Sequence, residues 1–110
     1  MKVFYSRVST VEQNDGRQLK GTEDFDKVLR DRCSGIIPLW DRPRGKEIYN
    51  LISFGKLKEL HIHSIDRLGR DTVSVLQIWR ELTEKGVRVV CRNPNFQNFR
   101  EDGEPDIFSD

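Results

Sequence analysis

Ser9 lies in the run Tyr5-Ser6-Arg7-Val8-Ser9-Thr10, directly after the apolar segment Val3-Phe4-Tyr5. A second run, Ile65-Asp66-Arg67-Leu68-Gly69-Arg70-Asp71, follows another strand-like segment. A serine hydroxyl is a weak nucleophile unless its proton is removed or its developing charge is met. Guanidinium groups converging on it do the second, and they clamp a phosphodiester in bidentate fashion. A hydroxyl nucleophile and arginines at two strand ends therefore point to phosphoryl transfer on a nucleic acid.

The elements that position these groups follow from the apolar pattern. Val3–Tyr5 reads as a short buried strand. From Gln18 to Arg32, the residues Leu19, Phe25, Val28 and Leu29 have helical spacing. Ser34-Gly35 ends that helix, and Ile36–Trp40 reads as a second strand. A helix of about three turns is expected after Pro43, with Ile48, Leu51 and Ile52 inward and Gly55 as its stop. Leu57–Ser64 reads as a third strand. Asp71 and Thr72 then form an N-cap for an amphipathic helix reaching about Lys85, before a fourth strand at Val87–Cys91.

Alternating strands and helices predict an α/β fold, a three-layer domain with a mostly parallel sheet of four or five strands and helices on both faces. In such sheets ligands gather at the carboxyl ends of the strands, where Ser9 and Asp66–Arg70 fall. The expected organisation is a core over residues 1–92, followed by an edge strand or loop and an acidic tail over residues 93–110.

Composition narrows the partners. At 110 residues the chain is one domain. It has no apolar run long enough to span a bilayer, so no membrane partner is expected. Cys33 and Cys91 have no Cys-x-x-Cys or histidine frame and read as reduced thiols, which favours the cytoplasm. The net charge of +1 conceals an asymmetry. Five of the 18 acids lie in residues 101–110, which leaves residues 1–100 with 19 basic against 13 acidic residues, a net +6. The body suits a polyanion, and the tail opposes one.

The run Tyr5-Ser6-Arg7-Val8-Ser9-Thr10-x-x-Gln13, with Gln18 beyond it, resembles the opening of the serine recombinases, the resolvase and invertase family. Ser34-Gly35, Arg42-Pro43 and Gly55 resemble that family's middle section, and Asp66-Arg67-Leu68-Gly69-Arg70 its most characteristic block. The resemblance covers roughly residues 1–92. Ile36–Asp41 is slightly longer than the family pattern.

The resemblance implies that Ser9 attacks a DNA phosphodiester, with a phosphoseryl link, a released 3′-hydroxyl and neither metal nor other cofactor. Arg7, Arg42, Arg67 and Arg70 would surround the phosphate. Asp66 would orient an arginine or assist proton transfer. Gln13 and Gln18 would position the loop and the phosphate, and Arg44 could touch the DNA backbone. A last strand within Asn93–Phe99 would run antiparallel at one edge. Full-length members form homodimers and tetramers through a long helix, usually followed by a DNA-binding region, and residues 93–110 do not encode these. The chain is thus expected to be a catalytic domain that binds DNA weakly in isolation.

Taken singly, each residue has a simpler role. A Ser-Thr pair after a strand also serves as a helix cap or turn, and Asp-Arg-Leu-Gly-Arg as a strand-to-helix bend. His61 and His63 share a strand face with no third ligand nearby, and read as packing or edge residues. Trp40 and Trp79 read as core. Two other functions compete. One is a non-catalytic, truncated recombinase-derived domain acting as an interaction or regulatory module. The other is a small-molecule phosphate binder on a flavodoxin-like sheet, against which stands the lack of a glycine-rich phosphate loop.

Overall fold

The computed structural model describes residues 1–9, 19 and 21–106. A five-stranded sheet is formed by β1 (Lys2–Val8), β2 (Lys27–Arg32), β3 (Glu59–Ile62), β4 (Arg88–Arg92) and β5 (Asn95–Gln97). The spatial order is β2-β1-β3-β4-β5. The first four strands are mutually parallel, with Tyr5 level with Leu29 on one side and Ile62 on the other, and β5 is antiparallel to β4. Helix α1 (Pro43–Ser53) links β2 to β3, and α2 (Thr72–Glu84) links β3 to β4.

Side chains alternate across a strand, so each sheet face can be read from residue parity. Val3, Tyr5, Leu29, Leu60, Ile62, Val89 and Cys91 share one buried cluster with Ile48 of α1 and with Trp79 and Leu82 of α2. Both helices therefore cover the same face. That agrees with two right-handed crossovers advancing the same way across the sheet. Helices α1 and α2 lie on this face, and Leu19, near the start of the first expected helix, is also helical. On the other face Phe4 meets Phe25 edge-on at 5.6 Å, and Arg92 lies over the Phe4 ring at 4.4 Å.

Two expected elements are corrected. The helix expected to reach Arg32 gives way over Lys27–Arg32 to strand β2, paired along its whole length with β1. A short run containing Val28 and Leu29 fits either period, and ladder pairing decides the outcome. The buried positions are Leu29 and Asp31, while Lys27, Arg30 and Arg32 point charge outward on an edge strand. The strand expected over Ile36–Trp40 is a turn followed by a 3-10 turn at Leu39–Asp41. Ser34 organises this turn, its Oγ accepting from the Ile36 amide at 3.1 Å and its carbonyl from the Ile37 amide at 3.2 Å. Pro38 has no amide hydrogen to offer a sheet.

The other elements match their sequence signals. Pro43 opens α1, and Gly55 follows its end at φ +69°. Asp71 caps α2 by accepting from the Ser74 amide at 2.8 Å. The antiparallel edge strand is held by buried Asn98. Its side-chain oxygen accepts from the Val89 and Phe99 amides at 2.7 and 2.8 Å, and its amide donates to Thr83 Oγ1 and the Val87 carbonyl.

Candidate active site

The end of β1 and the loops after β2 and β3 meet at the carboxyl edge of the sheet. Ser9 stands one residue beyond β1, half-buried and one strand period on from Arg7. Arg7 is buried and donates through Nη1 to the Cys33 carbonyl at 3.0 Å. A Cβ added to Gly35 would lie 3.4 Å from Arg7 Cζ, so the Gly35 backbone packs directly on the guanidinium. A cleft of about 240 Å³ opens beside it, lined by Arg7, Ser34, Gly35, Ile36, Asp66, Gly69 and Arg70.

Arg70 is 60% exposed and donates from Nε to Asp71 at 3.3 Å. The capping role of Asp71, mainly its bond from the Ser74 amide, holds its carboxyl below the usual carboxylate range. Asp66 accepts from Ser64 Oγ and lies 3.9 Å from Arg67 Nε. Arg67 Nε is buried and has no hydrogen-bond partner among the described residues. Burial, then the positive charges of Arg67 and Arg42, lower the Arg7 pKa from its ordinary value. Crowded cations of this kind favour an anionic ligand between them.

Arg42 lies beneath the cleft and not in its lining. It is fully buried, with Nε donating to the Ile37 carbonyl at 2.9 Å and Nη2 to the Gly35 carbonyl at 3.4 Å. Nη1 donates to the Arg67 carbonyl and to the Tyr5 hydroxyl. One guanidinium thus ties the loop after β2 to the loop after β3. Arg44, in the first turn of α1, pairs at the surface with Glu47 at 2.8 Å. Gln13 and Gln18 lie outside the described residues.

Asp31 escaped the sequence reading. Buried in β2, it accepts from the Tyr5 hydroxyl at 2.9 Å and from the Arg44 amide at 3.0 and 3.2 Å. Its carboxylate thereby satisfies an orphan N–H of α1 and complements the positive end of the helix. The available signal was its spacing of two from Leu29, which the helical reading concealed. His61 pairs with Glu59 at 3.3 Å and packs edge-on against Phe25 at 4.8 Å. Trp79 is buried, and Trp40 donates to Glu81 at 3.1 Å. Among the described residues no His, Cys, Asp and Glu side chains group as a metal site, and no helix is long and apolar enough to cross a membrane.

The architecture is that of a serine recombinase catalytic domain. It is similar to the N-terminal catalytic domain of TP901-1 integrase, with a TM-score of 0.74 at 21% identity over 94% of this chain and 85% of that one. Residues 2–106 match the family model "Resolvase, N terminal domain", and the chain belongs to that family. It is 34% identical over 89 residues to the transposon Tn21 resolvase of Escherichia coli, covering 80% of this chain and 45% of the relative. It is 33% identical over 86 residues to the DNA-invertase hin of Salmonella typhimurium, covering 76% and 43%. The chain therefore spans less than half the length of these curated relatives.

Proposed function

We propose that this chain is the catalytic domain of a site-specific DNA recombinase that acts in the cytoplasm through a covalent phosphoseryl intermediate. The observation that carries this is the cleft shared by Arg7, Asp66 and Arg70, at the strand edge where Ser9 stands one residue beyond β1. Ser9 Oγ attacks phosphorus, the Oγ–P bond forms and the P–O3′ bond breaks. The Ser9 proton passes, directly or through Asp66, to the departing 3′ oxygen. Rejoining reverses these steps with a 3′-hydroxyl as nucleophile.

Arg7 and Arg70 meet the charge of the transferring phosphoryl group, supported by Arg67. The same positive charge favours the alkoxide of Ser9. Arg42 acts from below by fixing the loop after β2 to the loop that bears Arg67 and Arg70, and Arg44 would reach the DNA backbone. Gln13 and Gln18 would position the loop and the phosphate. Dimers or tetramers on DNA would place such sites in pairs, which cutting and rejoining two duplexes requires.

The test is denaturing electrophoresis of a covalent DNA adduct, with this domain fused to a family dimerisation helix and DNA-binding region. An adduct lost in Ser9→Ala and greatly reduced in Arg70→Ala supports the reading. Equal adduct yield from Ser9→Ala rejects it.

A further inference from the structure

Ile36 is an isoleucine 67% exposed on the rim of the arginine cleft. The turn that carries it is not loose. Buried Arg42 holds the carbonyls on either side, from Gly35 at 3.4 Å and from Ile37 at 2.9 Å. Ser34 holds the Ile36 amide at 3.1 Å and the Ile37 amide at 3.2 Å. A fully buried guanidinium is a costly anchor for a surface turn. Here its effect is to fix an apolar side chain in water beside Arg7 and Arg70.

We propose that Ile36 is a substrate-contact residue that packs against the sugar and base edge of the nucleotide adjoining the phosphodiester in this cleft. Arg42 is the positioning residue that presents it. The inference rests on the proposed DNA-cleaving function and adds to it a contact with the nucleoside. Phosphate alone gives arginines nothing to distinguish a nucleotide from any other anion, whereas an apolar side chain gains contact area only from sugar and base. Apolar side chains placed against base steps are an established means of gripping duplex DNA. Because the turn is already ordered, the contact forms with little further loss of conformational freedom.

The experiment titrates the full chain at low salt, followed by methyl and amide NMR, with two probes: a short DNA duplex and dimethyl phosphate, a phosphodiester without a nucleoside. The Ile36 methyl signals should move with the duplex and not with dimethyl phosphate. Ile36→Ala should weaken duplex binding about fivefold through lost apolar contact and leave dimethyl phosphate binding unchanged, while Ile36→Leu retains most duplex affinity. Arg70→Ala should weaken both. Wild-type duplex affinity in Ile36→Ala, with Arg70→Ala still impaired, overturns the proposal and leaves the phosphodiester site standing. Duplex binding indifferent to Arg70→Ala overturns both readings. A change in self-association of Ile36→Ala with unaltered duplex affinity would assign the side chain to a protein contact, and also overturns it.

Discussion

The Tyr5 hydroxyl donates to Asp31 at 2.9 Å, joining neighbouring strands β1 and β2 directly beneath the arginine loops. The same oxygen accepts from Arg42 Nη1 at 3.2 Å. Burial raises the Tyr5 pKa well above the usual phenol range even though Arg42 opposes it, so the hydroxyl keeps its proton and remains a donor to Asp31. Tyr5, Asp31 and Arg42 form a buried polar support for the site, in which each group satisfies another.

Removing members of this support should cost stability unequally. Tyr5→Phe deletes one hydroxyl and leaves Asp31 bonded to the Arg44 amide, for an expected loss of about 1 kcal/mol. Asp31→Ala strands the Tyr5 hydroxyl and uncaps α1 together, for an expected loss of about 3 kcal/mol. Urea unfolding of the two variants checks the order. Equal losses would show that the bonds to α1 contribute nothing.

Two glycines should separate stability from function. A Cβ at Gly45 would lie 1.7 Å from the Leu39 carbonyl oxygen, which is backbone and cannot step aside. Gly45→Ala should destabilise by about 3 kcal/mol or more, because the 3-10 turn must move off α1. At Gly35 the nearest atom is Arg7 Cζ at 3.4 Å, part of a side chain able to shift by tenths of an ångström. Gly35→Ala should stay within about 1 kcal/mol of wild type in urea unfolding. It should nevertheless lower adduct yield in the fused protein, because a displaced guanidinium meets the phosphate poorly. Unimpaired adduct formation would show that Arg7 placement is not critical.

Acid should weaken the fold through His61. Burial lowers its pKa from the ordinary imidazole value despite the pull of Glu59. The unfolded chain therefore binds this proton more readily than the folded one. Stability is present above about pH 6.5 and is lost as pH falls toward the folded pKa, with a slope of at most about 1.4 kcal/mol per pH unit. Glu59 also has a lowered pKa, because hydrogen bonds from Arg88 and His61 outweigh its burial, and it adds a loss of the same sign at lower pH. Urea unfolding between pH 8 and pH 5 should show a shallower decline in His61→Gln than in wild type. An identical decline would place the titration elsewhere.

The sequence was legible where local chemistry and tertiary structure agree. Proline at the start of α1, Asp71 at the start of α2 and glycine after α1 each act within their own turn. The grouping of Arg7, Asp66 and Arg70 was also legible, since parallel strands bring the loops that follow them to one edge. What misled was the segment whose conformation is set from outside. Lys27–Arg32 becomes a strand because β1 offers it a ladder, and Ile36–Asp41 becomes a turn because Arg42 and Ser34 bind its backbone. Neither partner can be read from the local pattern. The same blind spot hid Asp31 and the bonds by which buried Arg42 holds the backbone of two loops.

The weak DNA affinity expected of the isolated chain should depend steeply on salt and rise when the tail is removed. Each neutralised phosphate contributes about one unit to the slope of log affinity against log salt. The exposed site arginines, Arg70 and Arg44, with the half-buried Arg67 and the buried Arg7 on the cleft wall, allow roughly three to five such contacts. No described helix is free of the sheet to enter a groove, so binding should show no sequence preference. Residues 101–110 bring five acids and no base. Deleting residues 107–110 alone removes only Asp110 and keeps the Phe99–Pro105 bridge, whereas neutralising Glu101, Asp102 and Glu104 removes three exposed charges without shortening the chain. Those three substitutions to Gln, Asn and Gln should tighten duplex binding by a few-fold at low salt, and the gain should vanish as added salt shortens the Debye length to about 8 Å. Fluorescence anisotropy of a labelled duplex across a salt series measures both effects. Tight, sequence-selective binding at physiological salt would overturn this account and would assign base reading to a surface of the domain itself.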